Sequence, residues 1–136
     1  VKLTVGDKSI LQDFEILMDT RVKTEGMTQQ LFEKQHDMQQ KVVALLSEAR
    51  LLQDSLENEA KKLKDKEENT ERLEQVKAVL KQLKNEEGAY PQQMLVAQIS
   101  YIYNMVNGAD QVIGKDVMNR YNELKTDLLK IKNTVQ

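Results

Sequence analysis

Residues able to do chemistry are few in this chain and poorly arranged for it. His36 is the one histidine, flanked by Glu33 and Asp37. A metal site needs several ligands converging on one point, and acidic neighbours are expected in a sequence this rich in charge. His36 also falls between Leu31 and Met38, off the main apolar seam, and reads as a surface residue. Carboxylates stand side by side at Glu67-Glu68 and Glu86-Glu87. General acid–base work needs a carboxyl whose pKa is shifted by an apolar or charge-coupled pocket, whereas these pairs lie in polar runs open to water. Ser9, Ser47, Ser55 and Ser100 sit in no nucleophile-elbow sequence, and the five glycines are too scattered to cradle a phosphate. There is no cysteine, which removes disulfides, thiol catalysis and thiolate metal ligands together. The expectation is therefore a protein that is not an enzyme, with no catalytic, cofactor-binding or metal residue and no cofactor.

Interaction is the remaining chemistry. Asp19 and Arg21 flank a strand-to-helix junction, where they read as a local ion pair or helix-start contact, or alternatively as a contact with a neighbouring domain. Tyr90, Tyr101, Tyr103 and Tyr121 are four of six aromatic residues. Packing at the core edge with a wet hydroxyl is the plain reading. A sugar-stacking platform is the sharper one, and it needs exposed coplanar rings. The candidate interaction residues are thus Asp19, Arg21, Tyr90, Tyr101 and Tyr103.

Such residues must be positioned by helices. The 136 residues are 40% hydrophobic but only 4% aromatic, without tryptophan, so the core must be built from Leu, Val, Ile and Met. Methionines such as Met27, Met38, Met94, Met105 and Met118 read as gap-fillers in it. Charged residues make up 31%, a composition of long surface helices with one apolar stripe each. A net charge of −2 from 20 basic and 22 acidic residues gives no concentrated basic surface for nucleic acid. The richest basic stretch, Lys61 to Lys66, is interleaved with Asp65 and followed by Glu67 and Glu68. No apolar run approaches the roughly 18 residues needed to span a membrane. The chain opens inside a strand-like pattern, so its true N-terminus is expected elsewhere.

The first 18 residues alternate with period two. Val1, Leu3 and Val5 precede a turn at Gly6-Asp7-Lys8, and a second run from Ile10 carries Phe14, Ile16 and Met18. This predicts a β-hairpin over residues 1–18, within an N-terminal segment 1–23. Leu11 and Leu17 fall on the opposite side, so the hairpin should be apolar on both faces. Two strands alone are marginal in water, so it should lie on the first turns of a helix around Leu31 and Phe32, or belong to a larger sheet.

From Thr24 the period lengthens. Leu31, Met38, Val42, Leu45, Ala49, Leu52, Leu56, Ala60 and Leu63 mark a heptad seam with one skipped step near Lys34. One helix of about 40 residues, roughly 60 Å long, is expected. A break is placed at Glu67 to Thr70, with Asn69 or Thr70 as cap. Leu73, Val76, Leu80 and Leu83 form a second stripe, ended by Gly88 in a left-handed conformation. Pro91 suits the first turn of a third helix, whose stripe is Leu95, Ile99, Ile102 and Val106. Val117, Tyr121, Leu124, Leu128, Ile131 and Val135 mark a fourth helix, after Gly114. The fold class expected is mainly α, an antiparallel bundle of about four helices over residues 24–136 with an N-terminal β-hairpin.

The string Val1 to Lys8 and the run Phe14 to Val22 resemble the last hairpin of a small β-sandwich and the Asp-Pro-Arg junction after it. That arrangement occurs near the C-terminus of exported bacterial proteins with a sortilin-like, BNR-repeat β-propeller, often called glycosyl hydrolases. Residues 24–136 are similar to the helical tail of those proteins, including Leu95 to Asp110 in character. Thr20 stands where the family has Pro, and Ile113-Gly114 where a Pro-Thr pair begins the last helix. The glycosidase label belongs to the propeller, so the resemblance transfers no catalytic residue. It implies a periplasmic, outer-membrane-associated or extracellular location, with the preceding domains of the same polypeptide as partners.

Three functional readings follow. The first is a non-catalytic structural or interaction module at the C-terminal end of such a protein. The second is a self-associating coiled-coil adaptor pairing through the long seam, with another protein or a second copy as partner. The third is a carbohydrate-binding module using the tyrosines.

Overall fold

Hydrophobic periodicity becomes structure in a computed structural model that describes residues 1–64 and 69–135. The elements run β1 (Lys2–Val5), β2 (Lys8–Leu11), α1 (Thr20–Thr24), α2 (Gln29–Lys64), α3 (Thr70–Leu83), α4 (Leu95–Asn107) and α5 (Lys115–Val135). The chain is mainly helical, as its composition implies, with one short helix, α1, beyond the four marked by apolar stripes.

The strands pair antiparallel with Leu3 opposite Ile10 and Val5 opposite Lys8. Gly6 has φ 58° while Asp7 does not share the positive φ, so the two-residue turn is of the type that puts glycine first. The register decides the faces, because directly opposite residues share one. Val1, Leu3, Val5 and Ile10 lie on one face together with Lys8 and Gln12; Lys2, Thr4, Ser9 and Leu11 lie on the other, where the Thr4 and Ser9 hydroxyls are 3.0 Å apart. Two expectations are corrected here. The second strand stops at Leu11 instead of Met18. Neither strand touches a helix, so the hairpin does not lie on Leu31 and Phe32. The helical stripes close on one another instead.

Asp19 caps α1, its Oδ1 accepting the Arg21 amide at 2.8 Å. The far end of α1 closes with paired bonds from Met27 N to Val22 O (3.2 Å) and Gly26 N to Lys23 O (3.1 Å). Gly26 takes φ 91°, the left-handed residue such an ending requires, and Met27 is buried behind it. Thr28 then starts α2, its Oγ1 accepting the Leu31 amide at 3.3 Å.

α2 packs against α3, α4 and α5, and those three also touch one another. Of the nine seam positions on α2, Met38, Val42, Leu45, Ala49, Leu56 and Ala60 are buried, while Leu52 and Leu63 pack at the edge. Each fully buried aliphatic side chain contributes about 1.5–3 kcal/mol, so the seam is a substantial source of stability. The stripes Leu95, Ile99, Ile102, Val106 on α4 and Val117, Leu124, Leu128, Ile131 on α5 are buried as their spacing predicts. On α3, Val79 is buried with Val76 and Leu83, whereas Leu73 and Leu80 are only partly so.

The skipped step in the seam is occupied by Gln35, which is 3% exposed. Its Nε2 donates to Val106 O at 3.0 Å and to Ala109 O at 2.7 Å, and Gln39 Nε2 also donates to Val106 O at 2.9 Å. The last carbonyls of a helix have no partner within it, and two glutamines of α2 supply one for α4.

Connections differ most from expectation. α3 ends at Leu83 with Lys84 extended, and Gly88 does not adopt positive φ. Pro91 lies outside α4, which starts four residues later after an extended Met94. Asn85 explains the delay: its Oδ1 accepts the Met94 amide at 2.7 Å and sets the start of α4 from the preceding loop. The break expected at Glu67 to Thr70 falls largely outside the described residues, α2 being described to Lys64 and α3 from Thr70. Asn69 occupies the cap position without a side-chain cap bond, and Asp65, Lys66, Glu67 and Glu68 lie outside the described residues. At this end Arg72 joins three helices: its Nε donates to Glu59 on α2 at 2.8 Å and its Nη1 to Val135 O on α5 at 3.3 Å.

Candidate functional site

The residues selected for their chemistry are dispersed. His36 is exposed on α2, Glu86 and Glu87 are exposed in the loop before α4, and the Glu67-Glu68 pair lies outside the described residues. Among the described residues no group of three His, Asp or Glu is placed to hold a metal ion. None of their helices is long and apolar enough to cross a membrane.

Asp19 and Arg21 meet. Arg21 Nη2 lies 3.1 Å from Asp19 Oδ2, and Nε lies 3.4 Å from Oδ1. The Arg21 guanidinium, and then the Arg21 amide, hold the Asp19 carboxyl below the usual carboxylate range. Both side chains are open to solvent, so the pair orients the helix start more than it stabilises it.

The tyrosines do not meet. Tyr90 is 99% exposed on the loop joining α3 to α4, within a cavity that contains no other tyrosine. Tyr101 and Tyr103 stand on α4 and Tyr121, half-buried, on α5. Tyr101 alone among them lines a groove of about 580 Å³ between α4 and α5. Ala97, Ile102, Met105 and Val117 form its apolar floor, with Asp116 and Arg120 at the rim. Arg120 Nη2 donates to Gln98 Oε1 at 2.5 Å and Nη1 to Glu123 Oε2 at 2.7 Å, so its charge is already engaged. Sequence reasoning missed this groove. Asp116 and Arg120 carry no signal until α5 is laid beside α4.

Exposed apolar residues concentrate in the N-terminal segment. Val1, Leu3, Val5, Ile10, Leu11, Phe14, Ile16 and Leu17 are each more than 60% exposed. Scattered exposed apolar residues are ordinary, but here eight fall within one short segment. The strand register sharpens the pattern. Leu11 lies on the face opposite Ile10, as its alternation predicts, but among Lys2, Thr4 and Ser9, so the apolar residues of the paired strands lie mainly on one face. Both edges of the hairpin also present unpaired backbone groups.

Comparison with models of known protein families, with curated proteins and with solved structures finds no match to this chain.

Proposed function

We propose that this chain is a non-catalytic interaction module. A rigid helical bundle is joined to neighbouring β-structure of the same polypeptide through the segment 1–18. The observation that carries this reading is the hairpin, apolar mainly on one face, which no helix covers and whose backbone edges are open. A two-stranded ladder of four rungs presents a face of only roughly 14 by 10 Å. Two copies of such a face bury far less than the roughly 800 Å² per partner of a stable interface, so a larger sheet is the better cover. The resemblance of residues 1–22 to the end of a β-sandwich in exported propeller proteins points the same way and supplies an identity for that neighbour.

The other readings have less behind them. Six of the nine seam positions on α2 are spent inside the bundle, which leaves little for a coiled coil between chains. A sugar platform needs rings side by side, and the tyrosines lie in separate places.

Amide exchange tests the proposal. Residues 2–11 should exchange much more slowly in a longer polypeptide carrying the β domain than in this chain alone; equal rates would remove the anchoring role. Assays on glycosides, esters and peptides should show no turnover. An activity abolished by replacing a single Asp, Glu or His would overturn the non-catalytic reading.

A further inference from the structure

The β1–β2 ladder does not fray at its open end. Its last rung is closed on both sides: Gln12 N donates to Val1 O at 2.9 Å, and the Val1 amino group donates to Gln12 O at 2.6 Å. Beyond that rung residues 12–19 run on without a turn or bend until α1 begins at Thr20. Their alternation continues that of β2: Phe14, Ile16 and Met18 have the parity of Ile10, whereas Asp13, Glu15 and Leu17 have the parity of Leu11. This stretch has the pattern of a strand and is paired with no other strand among the described residues.

We propose that residues 13–18 are a strand acceptor. They take one antiparallel extended segment lying end-on to Val1, in the register that the Val1–Gln12 rung sets. The inference rests on the anchoring reading above and specifies its partner. Rungs of an antiparallel ladder alternate between bonded and non-bonded pairs. Since Val1–Gln12 is bonded, Phe14, Ile16 and Met18 turn their amides toward the incoming segment, and Asp13, Glu15 and Leu17 turn theirs away. The same register dictates the chemistry of the occupant. Opposite Phe14 and Ile16 it must carry apolar side chains, extending the face of Leu3 and Ile10. Opposite Asp13 and Glu15 it must carry cationic or neutral polar ones, since directly opposed like charges destabilise a sheet. The occupant is therefore an alternating apolar and basic strand.

The test joins the extension Thr-Val-Lys-Val-Lys ahead of Val1, which places Lys opposite Asp13 and Glu15 and Val opposite Phe14 and Ile16. Exchange of single amides is then followed by NMR. Phe14 and Ile16 should slow by about tenfold or more while Asp13 and Glu15 keep their rates. Replacing the Val opposite Phe14 by Pro removes the amide that donates to the Phe14 carbonyl and breaks the added strand at that rung, which should restore fast exchange at Phe14 and Ile16. Slowing of Asp13 and Glu15 instead would mean that the outer edge is the acceptor, and no slowing at either set would mean that there is none; both results overturn the proposal. The anchoring reading fails separately. If the extension pairs as described but residues 2–11 are no slower in the longer polypeptide, the acceptor stands and the anchoring role does not.

Discussion

Gln35 shows how one side chain can override a hydrophobic pattern. A heptad seam expects an apolar residue there, and a polar one costs stability unless its hydrogen bonds are made. Its amide nitrogen is committed to two carbonyls at the end of α4, whereas its Oε1 is buried without a partner among the described residues. Gln35→Leu should cost about 1–3 kcal/mol in denaturant unfolding, because the Ala109 carbonyl loses its side-chain donor. Gln39→Leu should cost less, since Val106 O keeps its bond from Gln35. Equal losses would mean that the shared acceptor is not what matters. Asp19 gives a pH-dependent case. Its carboxyl is held below the ordinary range by Arg21, so its contribution is complete above that range and lost as pH falls through the lowered value. Glu57 behaves in the same direction, through a bond from Gln53 and then its ion pair with Lys84. Acidification should therefore loosen the start of α1 and the Glu57–Lys84 tie between α2 and α3. The Arg21 amide shift should follow a midpoint below that of Asp in an unstructured peptide.

α2 is the element on which the others are assembled. Leu45 lies in its seam and is 5% exposed. Leu45→Asp would place an unpaired charge in the core and should cost several kcal/mol, on the order of 4. A substituted protein that melts like the parent would show that α2 does not pack as described. The lower end of the bundle depends on Arg72, whose guanidinium is forked onto Glu59 while also reaching the last turn of α5. Arg72→Lys retains the charge but cannot serve both partners in this geometry. It should raise amide exchange in the final turn of α5, around Val135, more than in the middle of that helix. α4 depends on side chains from other elements at both ends, Asn85 before its first turn and Gln35 with Gln39 beyond its last. A helix of 13 residues is marginal alone, so its boundaries follow these partners.

At the scale of the whole molecule the chain has two parts with different requirements. The bundle satisfies its own apolar stripes. The N-terminal segment satisfies none of its own, and the structure joins the two through residues 12–19 and the capped turn of α1. Removing residues 1–17 should therefore leave the melting temperature of the bundle within a few degrees of the parent value, because no helix contact is lost. The full chain should sediment as a monomer at low concentration, and any association should disappear with the deletion. A large fall in melting temperature would show that the hairpin belongs to the bundle core.

The number, order and inward faces of the main helices were legible from residue types alone. A 3.6-residue period leaves the same mark wherever the helix packs, as Leu95, Ile99, Ile102 and Val106 demonstrate. The turn at Gly6 could be read for the same reason, since it depends on local spacing. Three features were decided only in three dimensions. Where α4 begins depends on an Asn85 side chain nine residues away from Met94, and no local signal competes with Pro91 until that bond exists. Whether Gln35 is tolerated in the seam depends on carbonyls 71 and 74 residues further along the chain. Which face of the hairpin is apolar depends on strand register, because pairing partners, and not alternation within one strand, bring Leu3 beside Ile10.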